Sequence, residues 1–212
     1  MITDSIISVT LRFLVYVFFI LGVTQLLFID TAVSYDPNIV QEATLTEWLQ
    51  LTFLALILFL FYIAGKASKG KRPMTNLLIG VTLVVMIREV DWFFDTYISV
   101  GAWQILTVIV FVTFLFFSFK EMKLLKNGIK DFIKHPSFGI ILCGFLTTFV
   151  FAPVLGSLNI WKAVMDGYLK SIAEGAEEGV ELLGYSFILI GAFEYFLRVK
   201  YSRYKISSFN MK

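Results

Sequence analysis

Long runs of apolar residues separated by short polar segments organise this chain. From Ser5 to Ile29 the only charge is Arg12, and after Glu47 no charged residue occurs until Lys66. About 20 apolar residues in a helix are enough to cross the hydrocarbon core of a bilayer. The charge-poor stretches predict spans at 6–29, 45–65, 74–95, 102–119, 137–156 and 180–200. The expected fold is therefore all-α, a single integral membrane domain over 1–212 with about six transmembrane helices. The first segment lacks a small-residue cleavage site, so it reads as a retained span and not as a signal peptide.

Two connecting segments keep the helical period while remaining polar on one side, which predicts amphipathic helices lying along the membrane. In 161–176, Trp161, Val164, Met165, Tyr168, Leu169, Ile172 and Ala176 form the apolar face. Lys162, Asp166, Lys170 and Glu174 form an opposite-sign ladder four residues apart. In 120–134, Leu125, Ile129, Phe132 and Ile133 oppose a stripe of lysines, a pattern suited to an anionic leaflet.

Charge then fixes an expected orientation. Arg12, Lys66, Lys69, Lys71, Arg72, Lys120, Lys123, Lys126, Lys130, Lys134, Arg198, Lys200, Arg203, Lys205 and Lys212 fall on one side of a six-span topology. They are fifteen of the eighteen Lys and Arg. The positive-inside rule makes that side cytoplasmic, with both termini inside. The same topology sends Asp30, Asp36, Glu42, Glu47, Glu89, Asp91, Asp95, Asp166, Glu174, Glu177, Glu178 and Glu181 outward, twelve of the sixteen acids. Trp48, Trp92, Trp103 and Trp161 fit an aromatic belt on that face. Composition agrees: 58% of residues are hydrophobic and only 16% charged, against about 25% charged in a typical soluble domain.

Candidate chemistry lies with the outward acids. Arg88, Glu89, Asp91 and Asp95 crowd the end of the third span. A helix starting at Met74 rises about 30 Å in 20 residues, which places Arg88, Glu89 and Asp91 in the outer third of the membrane. Ionised groups cost about 2.5–3.5 kcal/mol each at mid-membrane and less toward the interface. On one continuous helix Arg88, Asp91 and Asp95 share a face. That arrangement makes either a self-contained Arg88–Asp91 pair or an acidic site tuned by Arg88. Glu174, Glu177, Glu178 and Glu181 cluster at the entry of the last span, where the helix macrodipole also favours acids. Glu47 fits a capping box with Thr44 and also a carboxylate at the same depth.

Glu47-Trp48-Leu49-Gln50, the span ending Arg88-Glu89-Val90-Asp91-Trp92, and Glu177-Glu178-Gly179-Val180-Glu181-Leu182-Leu183-Gly184-Tyr185 together resemble uncharacterised polytopic bacterial inner-membrane proteins. The resemblance implies a multi-pass protein of the cell (inner) membrane and brings no activity with it.

The leading expectation is an outward-facing acidic pocket that binds or transports a cation or proton. Asp91, Asp95, Glu178 and Glu181 are its ligands, with Glu47, Glu89 and Glu177 accessory and Arg88 setting the charge. Oxygen ligands suit Mg²⁺, Ca²⁺ or Mn²⁺. A membrane-embedded enzyme acting on a lipid or lipid-linked substrate, and a structural subunit of a membrane complex, are the alternatives. Beside the lipid bilayer, the partners considered are a second copy or another membrane protein. With His135 the only histidine and Cys143 the only cysteine, neither zinc nor haem is expected. No outer basic face or phosphate-binding loop points to nucleic acid or nucleotide.

Overall fold

A computed structural model describes residues 6–34, 44–164 and 170–209. Every regular element among the described residues is helical: α1 (Ile6–Ser34), α2 (Leu45–Ala67), α3 (Arg72–Glu89), α4 (Asp91–Tyr97), α5 (Ala102–Phe119), α6 (Met122–Ile133), α7 (Pro136–Leu146), α8 (Ala152–Leu155), α9 (Leu158–Val164) and α10 (Lys170–Phe209). A 3₁₀ turn, Lys69–Lys71, precedes α3, and a π turn, Thr147–Phe151, joins α7 to α8. Among the described residues five stretches are long and apolar enough to cross a membrane: Ile6–Asp30, Leu45–Ala67, Ala102–Phe119, Pro136–Leu155 and Ile172–Tyr201. The third predicted span, with its load of charge, is not among them.

Two elements differ from the sequence expectation for identifiable reasons. The helix from the third span stops at Glu89, because Val90 leaves helical geometry at φ −113° and ψ 22°. Asp91 then opens the separate helix α4, at a position where the macrodipole favours an acid. The stretch Pro136–Leu155 carries the π turn just ahead of Pro153, whose ring and missing N–H disrupt the regular ladder one turn back. The amphipathic segment 161–176 is helical up to Val164, where α9 is described, and again from Lys170 in α10. Met165, Asp166, Tyr168 and Leu169 lie outside the described residues.

The chain divides into two compact units, Met1–Leu49 with Phe145–Ser186, and Gln50–Gly144 with Phe187–Lys212. In the first, Gly179 of α10 allows close packing against Leu27 of α1, and Val23 is buried. Most of α1 is exposed apolar surface, including Phe13 and Phe18, as expected of a helix facing lipid.

In the second unit α3 runs along α5. Gly80 meets Phe114 so closely that an added Cβ would lie 2.5 Å from the Phe114 Cβ. Small residues that let helix backbones approach are the usual basis of packing in a membrane. Gly191 of α10 packs the same way on α7, 2.5 Å from Ile141 Cγ1 by the same measure, whereas Gly139 faces open space. Polar side chains on these apolar helices satisfy themselves locally: Thr82 Oγ1 donates to the Leu78 carbonyl and Ser118 Oγ to that of Phe114.

Candidate functional site

The first unit gathers carboxylates from three helices. Asp30, at the end of the span in α1, is buried and accepts hydrogen bonds from Thr46 N–H (3.0 Å), Thr46 Oγ1–H (2.6 Å) and Leu45 N–H (3.3 Å). These are orphan donors at the start of α2, so Asp30 caps a helix fifteen residues further along the chain. Thr44 and Glu47 complete the N-terminus as a reciprocal capping box. The Glu47 N–H donates to Thr44 Oγ1 (3.2 Å), and the Thr44 N–H donates to Glu47 Oε2 (3.0 Å).

Glu178, half-buried on α10, lies within electrostatic reach of Glu47, Asp30, Glu174 and Glu177. Glu177 packs over Gly156 at the end of α8, where no larger residue would leave it room. Glu181 is buried, and its backbone carbonyl lies 3.5 Å from Thr148 Oγ1 on the π turn. Like charges this close repel, and a proton, a cation or a basic side chain is what lowers that repulsion. Among the described residues no three His, Cys, Asp or Glu side chains stand in position to hold a metal ion together.

The acids of the third span belong to the second unit. Arg88 Nε approaches Glu89 Oε1 at 3.7 Å, a loose pair between chain neighbours. The break at Val90 removes the single helical face on which Arg88, Asp91 and Asp95 were expected to align. Asp95 is exposed, and its Oδ1 accepts the Gly101 N–H (2.9 Å). It thereby fastens the loop in which Gly101 adopts φ +82°, a left-handed conformation that glycine tolerates best.

A second polar centre, missed from sequence, lies at the other end of this unit. Asp131 of α6 bonds Lys71, before α3, and Arg198 Nη2 (2.6 Å), on α10. Burial pushes the Asp131 carboxyl upward, but the hydrogen bond and charge of Lys71, with Arg198 and His135, outweigh it and leave the group below its ordinary range. Next to it, His135 Nδ1 accepts the Ser137 N–H (3.2 Å) and contacts Ser137 Oγ (2.7 Å), capping α7. Burial, then the Arg198 charge, push the imidazole below its ordinary range, against a smaller upward pull from Glu194 and Asp131. An acid within the lysine-rich helix 122–133 was the available signal for Asp131.

Among the described residues the architecture is all-helical, with five helices long and apolar enough to cross a membrane, as in an all-α membrane protein. Comparison with family models, curated proteins and solved structures returned no match.

Proposed function

We propose that the protein is a six-span membrane protein of the cell (inner) membrane, with both termini cytoplasmic, whose acidic cluster around Glu178 binds protons or a cation in transport. The convergence of Asp30, Glu47, Glu174 and Glu177 on Glu178, from three separate helices, carries this reading. A sixth crossing by α3 is supported by its 18 residues, about 27 Å of helix, and by its long packing against the apolar α5. It also keeps the basic loops on one face, as the positive-inside rule requires.

The 30-residue span Ile172–Tyr201 is longer than the roughly 20 residues a bilayer demands. Its first turns, which carry the glutamates, therefore extend into the outer headgroup region, where an acid is much less costly than at mid-membrane. Such a position suits a site that exchanges ions with water. Charge convergence, and not a coordination shell, is the basis, so protons or a partly hydrated cation fit better than a tightly ligated metal.

Melting of purified protein in detergent, followed across pH and with added Na⁺, Mg²⁺ or Ca²⁺, tests the idea. Glu178→Gln is expected to flatten the dependence on proton and cation concentration. Superimposable responses of the wild type and Glu178→Gln would overturn it.

A further inference from the structure

The helix α6 presents two opposite faces, and among the described residues only one of them is covered by protein. Leu125 and Phe132 are buried, Phe132 edge-on to Tyr195 (centroids 5.4 Å apart) and to Phe138 (5.5 Å). Gly128 sits so near Met74 that an added Cβ would be 2.9 Å from the Met74 Cβ. Asp131 ties the helix to Lys71 and Arg198. The sequence suggested that Leu125 and Phe132 rest on lipid; instead they dock the helix onto its own protein.

At about 100° per residue, Lys123, Lys126 and Lys130 cluster on the side opposite Leu125, Gly128 and Phe132. Lys120 and Lys134 flank the helix at its two ends. All five lysines are exposed, and none makes an ion pair among the described residues. Glu121 is the neighbouring acid, and it too is exposed. Met122 and Ile133 stand beside Lys126 with 44% and 54% of their surface open. A rigid row of unpaired ammonium groups edged by exposed apolar side chains has the chemistry of a headgroup-binding surface.

Position selects the occupant. The helix starts three residues after the apolar stretch Ala102–Phe119 ends, and it stops three residues before Pro136–Leu155 begins. Held by both ends to membrane-length helices, twelve residues spanning about 18 Å stay at the boundary of the bilayer. There the lysines lie within a Debye length, about 8 Å, of the headgroups. We infer that the lysine face of α6 is a binding surface for anionic phospholipid headgroups, selecting them from the surrounding bilayer. This rests on those two stretches crossing the membrane and is independent of the acidic cluster around Glu178.

The test uses the full chain purified with mixed phosphatidylglycerol and phosphatidylcholine, the retained lipids being counted by native mass spectrometry. The wild type is expected to retain phosphatidylglycerol preferentially, less so as salt rises. The triple variant Lys123→Gln/Lys126→Gln/Lys130→Gln should lose that preference by on the order of fivefold per lysine. Its melting in uncharged detergent should match the wild type, because the substituted side chains are exposed. A matched variant, Lys66→Gln/Lys69→Gln/Arg72→Gln, should retain most of the preference. Unchanged selectivity in the α6 variant, or an equal loss in the matched one, would overturn the assignment.

Discussion

Asp30 at the end of one apolar span and Thr46 at the start of the next are joined by two hydrogen bonds to a single carboxylate oxygen, from the Thr46 N–H at 3.0 Å and its hydroxyl at 2.6 Å. The bond ties two helices together while satisfying backbone donors that would otherwise be orphaned beside lipid. Asp30→Ala removes the acceptor from all three donors. Loss of a helix cap costs about 1–2 kcal/mol, so the variant is expected to melt lower, and Asp30→Asn, which keeps an oxygen acceptor, by less. Equal melting of Asp30→Ala and the wild type would show that the α2 terminus draws nothing from α1.

Helix packing gives a matched pair of tests. An alanine methyl at Gly191 would press on Ile141 Cγ1 and on the Ile141 and Ser137 backbone, neither of which can yield easily. Overpacking of this kind costs about 1–3 kcal/mol. Gly139 has nothing within 4 Å of an added methyl, and alanine there gains about 0.5–1 kcal/mol of helix preference. Gly191→Ala should therefore melt lower and Gly139→Ala no lower than the wild type, as thermal denaturation in detergent would report.

Much of this architecture was legible because membrane solvation leaves few options: an apolar run of this length must be a helix with its backbone bonds internal. The capping box was legible too, since Thr44 and Glu47 are three residues apart and the geometry is local. What escaped the sequence was long-range or irregular. Asp30 reaches across to Thr46, and Asp131 finds Lys71 and Arg198, sixty and sixty-seven residues away. Neither pairing leaves a periodic trace. The assumption of a regular helix through Val90 also misplaced Asp91 and Asp95, one of which opens a helix while the other fastens a loop. The π turn ahead of Pro153 is a local irregularity of the same kind, inside a span expected to be regular over 137–156.

Asp131 links α6 to two other segments through charge-assisted bonds. Lowered in the native protein, its carboxyl stabilises the fold fully above the ordinary carboxylate value of 3.8. That contribution is lost as pH falls through the native value. Asp131→Asn, which leaves Lys71 and Arg198 without their anion, is expected to cost about 1–2 kcal/mol at neutral pH, after allowance for partial exposure of all three groups. The difference from wild type should shrink in strong acid. A difference that stays constant down to the most acidic measurable pH would contradict the ion-pair assignment.

His135 should act in a higher pH window. Its native value lies below the ordinary 6.5, so the unfolded chain binds the proton more readily. Stability is then full above about pH 6.5 and declines as pH falls from there toward the native value. Protonation of Nδ1 also destroys the acceptor for the Ser137 N–H. His135→Asn keeps a side-chain acceptor for the α7 terminus and removes the titration. Its melting temperature should be flatter than wild type as pH falls below about 6.5, and parallel curves there would refute the assignment.

Tyr195 offers the sharpest test of packing against polarity. Its side chain is 2% exposed, and its ring stands edge-on to Phe61 (centroids 6.1 Å apart) and Phe132 (5.4 Å). Its hydroxyl has no hydrogen-bond partner among the described residues. The ring contributes apolar burial and edge-to-face contact, while a buried hydroxyl left unsatisfied costs about 1–3 kcal/mol. Tyr195→Phe keeps the first and removes the second, so it should melt at or above the wild-type temperature. Tyr195→Ala deletes the ring between Phe61 and Phe132 and should lose about 3–5 kcal/mol, the usual cost of truncating a buried aromatic. If Tyr195→Phe instead melts well below wild type, the hydroxyl makes a stabilising bond, and the core of this unit is held by polarity as well as by shape.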